Sequence, residues 1–200
     1  NTQPPEAVTK DYSNRNAFEY QDIMVEKVIR SLRESDKPVV MAMTTSSGKS
    51  ATTTKLLNKL LPQGGNALFL GSNLKVLAEQ YFESLEKASP VIPNFSYSYI
   101  SNDEDADLKI GMAQQVLRDP IKVKTLILDE GQWLYGKKMM NAVIEHCKPQ
   151  NIVILTGSPS SFTKNRYQYN IHYLSYSNIS ESEDRIFSNV DLDLVVVYNK

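Results

Sequence analysis

The sequence predicts an α/β domain built on a mostly parallel sheet with helices on both faces. Two observations lead there. Short apolar runs such as Val39–Met43 (VVMAM), Ala67–Leu70 (ALFL) and Asn151–Leu155 (NIVIL) alternate with segments of helical periodicity. Strands buried on both faces read as continuous apolar runs, and strands separated by helices assemble in parallel. Polar clusters also sit at the ends of three apolar runs: Ser46–Ser50, Asp129–Gln132 and Thr156–Ser158. Ligands of such sheets bind beyond the carboxyl ends of the strands, so the three clusters are expected to meet at one rim.

The elements follow in chain order. Residues 1–16 are polar, carry Pro4 and Pro5, and show no periodicity, which predicts a loose tail. In Asp22–Arg33, Met24, Val25, Val28, Ile29 and Leu32 share one helical face. The Val39–Met43 strand runs through a small-residue loop into a second helix, which Pro62–Asn66 closes with turn chemistry. After Ala67–Leu70 comes a helix expected to turn Leu74, Leu77, Ala78, Tyr81 and Leu85 inward. Phe95–Ile100 alternates like a strand, and the acidic Asn102–Asp107 stretch reads as a solvated loop. Leu108–Leu117 holds a short strand and a brief helix, and Lys124–Leu128 is a further buried strand. A helix with Met139, Met140, Val143 and Ile144 inward leads to Asn151–Leu155. Beyond Ser160, the tyrosine-rich Arg166–Ser177 and the β-forming Leu192–Tyr198 predict one or two more strands at the sheet edge, or a small hairpin.

Composition narrows the function classes. Apolar residues make up 41% of the 200 and charged residues 22%, enough for a core. The net charge of −1 excludes a global basic field, so any nucleic-acid contact must be local. No apolar run approaches the roughly 20 residues of a membrane span, and an intracellular, non-membrane protein is expected. The single cysteine, Cys147, excludes an intrachain disulfide or a multi-cysteine metal site.

Strand, small-residue loop and helix over Val39–Leu60 form the context of a phosphate-binding loop. Amides of Thr45, Ser46, Ser47 and Gly48 and of the first helical turn would converge on one anion, helped by the helix dipole. Lys49 would reach the β- and γ-phosphates of ATP, and the Ser50 hydroxyl would hold Mg²⁺. Asp129 and Glu130, directly after a buried strand, suit phosphate hydrolysis. Asp129 would hold Mg²⁺ opposite Ser50, and Glu130 would position the attacking water.

Taken together, the motifs resemble the first RecA-like domain of superfamily-two helicases and translocases, in the DEAD/DEAH and type III restriction-subunit neighbourhood. The resemblance spans most of Phe18–Pro159. Tyr20-Gln21 matches the family's upstream glutamine motif, which implies that Gln21 reads the adenine edge. Met43–Ser50 matches A-x-T-G-x-G-K-[ST] at Thr45, Gly48, Lys49 and Ser50, with Met43 for alanine and Ser46 for glycine. Leu70–Gln80 matches a strand–turn–helix that touches the nucleic-acid backbone, which implicates Gly71, Ser72 and Asn73. Ile110–Gln115 matches a later contact element and implicates Gln114. Asp129–Gln132 stands for D-E-x-H, with Gln132 in the histidine position. Thr156–Pro159 stands for the element that couples hydrolysis to nucleic acid, which implicates Thr156 and Ser158, with Gln132 bonding across to one of them.

The resemblance implies a motor domain that uses ATP and Mg²⁺ and binds DNA, with RNA as the alternative. Its site is completed by a second RecA-like domain that supplies arginine fingers, for which no Q-x-x-G-R-x-x-R pattern occurs here. The expected organisation is a tail over 1–16 and one RecA-like domain over 17–200, a piece of a longer motor, hydrolysing ATP slowly by itself. The competing readings are a small P-loop phosphotransferase and a non-catalytic P-loop domain that regulates or scaffolds a partner.

Overall fold

A computed structural model describes residues 19–174, apart from 45, 46, 72, 73, 89, 90, 103, 104, 120, 134, 136, 160, 161 and 163–165. The expected tail over 1–16 and the Leu192–Tyr198 strand lie outside these residues, as do Thr45, Ser46, Ser72 and Asn73.

The chain runs α1 (Glu19–Glu34), β1 (Val39–Met43), α2 (Lys49–Leu60), β2 (Ala67–Leu70), α3 (Lys75–Glu86), β3 (Tyr97–Tyr99) and β4 (Leu108–Gly111). It continues through α4 (Ala113–Arg118), β5 (Thr125–Leu128), α5 (Lys138–Cys147), β6 (Asn151–Thr156) and β7 (Asn170–Leu174). The seven strands form one sheet in the order β3-β4-β2-β5-β6-β1-β7. Every pairing is parallel, so the sheet is parallel throughout where mostly parallel was expected. The tyrosine-rich segment supplies β7, which flanks β1.

Alternation along the buried strands makes two cores. Val39, Met41, Met43, Phe69, Ile127, Val153 and Leu155 join the apolar faces of α1, α2 and α3. Val40, Ala42, Leu68, Leu70, Leu126, Leu128 and Ile154 face α4 and α5. Period-2 side-chain direction makes a strand buried on both faces apolar at every position, which is why β1, β2 and β5 carry no polar alternation. Ion pairs from Lys55 to Asp22 (3.0 Å) and from Lys59 to Glu26 tie α2 to α1. Ser31 Oγ meets His172 Nε2 at 2.8 Å and ties α1 to β7.

One inward assignment fails. Leu74 is 57% exposed. It stands at the N-cap of α3 in an extended conformation, before the helical face begins, so helical periodicity does not apply to it. Of the remaining expected inward residues of α3, Ala78, Tyr81 and Leu85 are buried and Leu77 is half-buried.

Register fixes what meets at the carboxyl rim. Leu128 pairs with Ile154 and Ile154 with Val40. Ala42 pairs with Thr156 in turn, and Asp129 and Glu130 follow directly on the end of β5 at the same rim.

Met43, which replaces the small residue of the loop pattern, is 1% exposed and belongs to the core beneath the helices. Met43→Ala is expected to destabilise the chain by about 2–5 kcal/mol through the cavity it leaves, measured as a lowered urea midpoint with an unchanged slope.

Candidate functional site

The loop between β1 and α2 is shaped at both ends. Ser47 donates its hydroxyl to the Thr44 carbonyl at 2.6 Å and its N–H to the same oxygen at 3.2 Å. Gly48 then takes φ +84°, and a Cβ there would fall 2.4 Å from Gln21 Nε2. The left-handed backbone favours glycine there, and any larger residue would also have to displace the end of the Gln21 side chain. From below, Tyr20 donates its hydroxyl to the Ser47 carbonyl at 3.1 Å, and Gln21 Nε2 donates to the same oxygen at 3.4 Å. Gln21 is 1% exposed, and its Oε1 is buried with no hydrogen-bond partner among the described residues. The Tyr20-Gln21 pair thus braces the loop in this structure.

The helix that follows opens with an unusual triplet. Thr52, Thr53 and Thr54 donate their hydroxyls to the carbonyls of Gly48, Lys49 and Ser50, at 3.0, 2.9 and 3.1 Å. Each hydroxyl bonds back one turn, as threonine inside a helix does. The ATTTK string carried this signal, although helical periodicity alone does not single it out.

Lys49 reaches across the rim. Its Nζ lies 3.0 Å from Asp129 Oδ1 and donates a second, shorter bond to Glu130 Oε1. Glu130 Oε2 accepts Gln132 Nε2 at 2.7 Å, and the backbone N–H of Gly157 also donates to the Glu130 carboxylate. Glu130 is one of three non-glycine residues with positive φ among the described residues, at 49°, and its own N–H donates to Asp129 Oδ1 at 3.0 Å. The ends of β1, β5 and β6 are therefore joined through one ammonium and one carboxylate. Gly157 carries the link from β6; the Thr156 hydroxyl is engaged within its own turn, accepting the Ser158 N–H at 2.9 Å and donating to the Ser158 carbonyl at 3.1 Å. No residue-type pattern announces a backbone donor such as Gly157.

Charge follows this geometry. Burial opposes the Lys49 charge, but the two carboxylates outweigh it and hold its pKa above the ordinary lysine value. Burial pushes Glu130 up, yet hydrogen bonds from Lys49, Gln132 and Gly157 bring it below the usual carboxylate value. Asp129 is pushed above its ordinary value by burial, which the shared Lys49 charge only partly offsets. Lys49 serves both carboxylates and closes more tightly on Glu130, leaving the more deeply buried Asp129 with the weaker compensation.

Ser50 is exposed at the start of α2. Its hydroxyl and the Asp129 carboxylate are hard oxygen donors of the kind Mg²⁺ prefers. A cation, the Lys49 ammonium, already sits on that carboxylate. Among the described residues no group of three or more His, Cys, Asp or Glu forms a self-sufficient metal site. The donor set thus fits a magnesium ion that brings phosphate and water ligands with it.

Of the remaining predicted contacts, Gly71 directly follows β2 and Gln114 lies on α4, which follows β4. The Gly71 N–H donates to the Gly111 carbonyl at 3.1 Å, and a Cβ at Gly71 would fall 2.5 Å from Ala78 N. Gln114 is exposed on α4, while Gln115 accepts the Met112 N–H at 2.8 Å. Beside Gly111 a cavity of ≈ 270 Å³ is lined in part by Lys75, Glu79, Tyr99 and Ser101.

A family model described as type III restriction enzyme, res subunit, matches residues 14–161. The chain belongs to this family. Comparison with curated protein sequences gives no match. Among solved structures, this res-subunit-family chain resembles the Pyrococcus furiosus Hef helicase domain, with TM-score 0.62 and 14% identity over 87% of this chain and 40% of that one. The UvsW helicase of bacteriophage T4 matches with TM-score 0.61 and 19% identity, over 78% of this chain and 60% of the other. The Sulfolobus solfataricus SWI2/SNF2 ATPase core, solved in complex with dsDNA, matches with TM-score 0.59 and 19% identity, over 77% and 35%. At these identities the matches show a shared RecA-like fold, and the chain spans less than two thirds of each matched structure. No helix among the described residues is long and apolar enough to cross a membrane.

Removing the shared cation leaves two part-buried carboxylates facing each other. Lys49→Ala is expected to cost about 1–3 kcal/mol at pH 7, read from urea midpoints. The gap should narrow as pH falls. Glu130, depressed in the folded state, contributes stability above its unfolded value that wild type loses on acidification. The variant gains instead, because protonation relieves the repulsion.

Proposed function

We propose that this chain is the first ATP-binding domain of a superfamily-two helicase or translocase, holding ATP–Mg²⁺ at the rim formed by β1, β5 and β6. The observation that carries this reading is the Lys49 ammonium bonded to both Asp129 and Glu130. A phosphate-loop lysine resting on the two acidic residues is the arrangement a nucleotide site needs before it fills. The lysine is desolvated and aimed at the point where phosphate charge would arrive, and the Glu130 carboxylate is held in its ionised form.

When nucleotide enters, Lys49 exchanges carboxylate oxygens for phosphate oxygens. Ser47, Gly48 and the first turn of α2 offer their N–H groups to the same anion. Ser50 and Asp129 would hold Mg²⁺, which neutralises charge on the transferring phosphoryl group when bound. Glu130, relieved of Lys49, keeps its bonds to Gln132 and Gly157 and turns a freed oxygen to the attacking water. Gln132 Oε1, buried without a donor among the described residues, offers that water a second acceptor. The turn after β6 senses this change through the Gly157 N–H. Gln21 stands next to the loop to meet the adenine edge. Thr45 and Ser46 complete the loop.

Nucleic acid is proposed to run along the rim past Gly71, Ser72, Asn73 and Gln114. DNA is the favoured polymer, because a structure of the same fold is described as a complex with dsDNA. Backbone contacts carry no sequence information, which suits a motor. A second RecA-like domain, in cis or in trans, is proposed to close the site and supply arginines. Such residues are worth on the order of 10³–10⁵ in rate in related phosphoryl transfer.

The chain should bind a fluorescent ATP analogue, and Lys49→Ala should weaken that binding at least about tenfold; unchanged affinity would show that the loop is not a nucleotide site. Hydrolysis by the chain alone should be slow. Glu130→Gln should retain nucleotide binding while abolishing any hydrolysis stimulated by an added second domain and DNA, followed by phosphate release.

A further inference from the structure

The reading above does not use the buried hydroxyl of Tyr81. Tyr81, on α3, is 2% exposed. Its ring stacks on Phe69 of β2, with centroids 4.1 Å apart and planes 16° from parallel. Its hydroxyl meets Thr54 Oγ1 at 3.2 Å, and Thr54 Oγ1 in turn lies 3.1 Å from the Ser50 carbonyl.

The direction of this chain of bonds follows from proton counting. A carbonyl can only accept, so the single hydroxyl proton of Thr54 goes to Ser50. Thr54 then accepts from Tyr81, whose proton points at α2. Burial pushes the Tyr81 phenol far up, and the nearby Asp129 charge adds to that push, so the hydroxyl stays a donor at every working pH. The same hydroxyl is thus bonded toward one candidate cation ligand, Ser50, and close enough to feel the other, Asp129.

We propose that Tyr81 is a positioning residue for the cation corner, fixing the first turn of α2 through Thr54 so that the Ser50 hydroxyl and the Asp129 carboxylate face a common Mg²⁺. The inference deepens the reading of this rim as an ATP–Mg²⁺ site and rests on it. It also joins that corner to α3, the helix that follows β2. A shift of α3 is then felt at Ser50 through two hydrogen bonds, with no side chain of α3 touching the nucleotide.

A plain core tyrosine would predict something different. Tyr81→Phe would then lower stability modestly and leave ligand binding alone. A positioning role predicts a loss confined to the metal-dependent part of nucleotide affinity.

The test compares binding of a fluorescent ATP analogue, with Mg²⁺ and with EDTA, in wild type, Tyr81→Phe, Thr54→Val and the double variant. Urea midpoints on the same samples check that each is folded. Wild type should bind more tightly with Mg²⁺ than with EDTA. Tyr81→Phe and Thr54→Val should each shrink that gain about three- to tenfold, the range expected for one lost hydrogen bond, and leave the EDTA affinity unchanged. The double variant should lose no more than the worse single one, because both act on one chain of bonds. A gain equal to wild type in Tyr81→Phe, or equal losses with Mg²⁺ and with EDTA, would overturn the positioning role alone. Wild type that binds no nucleotide under either condition would overturn the ATP–Mg²⁺ reading itself, and the role of Tyr81 with it.

Discussion

The structure of this rim depends on one ammonium shared between two carboxylates. β6 lies between β1 and β5 in the sheet, so Lys49, which follows β1, must reach over the end of β6 to touch Asp129 and Glu130. Three constraints permit this. The parallel register brings the strand ends level. Gly157, just past the end of β6, adds its own N–H to Glu130. Gly48 turns the loop back at φ +84° so that α2 starts beside the carboxylates. Without the lysine, two carboxylates would stand side by side at the mouth of a buried strand, where like charges repel strongly. With it, the rim holds one cation between two anions, the charge pattern that the proposed nucleotide and its cation would replace.

Strain gathers at the same place. Glu130 sits at φ 49°, a conformation that costs a non-glycine residue on the order of 1–3 kcal/mol. Its surroundings hold it there: its N–H is taken by Asp129, and its carboxylate by Lys49, Gln132 and Gly157. The left-handed turn points the Glu130 side chain back over the rim, where an ordinary helical start would have carried it away. An acidic pair such as Asp129-Glu130 can also mark a helix N-terminus. That account fails on geometry, because a turn at Gly131–Trp133 follows and α5 begins only at Lys138.

Much of this was legible in the residues. Apolar runs of four or five positions specify strands buried on both faces, and their polar ends specify a rim, because the physics behind both rules is short-ranged and strong. Leu74 was misread because periodicity extends a helix to its cap, where the backbone is already extended. The Gly157 N–H could not be read, since every residue but proline carries one. The Tyr81 hydroxyl was hidden for a related reason. A tyrosine on the apolar face of α3 reads as core, and only the register of α3 against α2 shows that its oxygen meets Thr54. Gln21 was assigned to the adenine edge by resemblance, whereas its bond to the Ser47 carbonyl is a property of the folded chain that no residue pattern gave.

Gln132 shows how a departure from a family pattern can be physically workable. The D-E-x-H pattern places an imidazole where this chain has an amide. A neutral imidazole has one donor and one acceptor, and an amide has both as well. Gln132 spends its donor on Glu130 and keeps its acceptor buried beside the same carboxylate. The hydrogen-bonding capacity of the position is therefore preserved. What changes is titration: an imidazole gains a proton near pH 6.5 and would then present a second cation to Glu130 in competition with Lys49. An amide gains none. The positive charge that compensates the carboxylate pair thus comes from Lys49, which ties the position more closely to the loop before α2 than a histidine would.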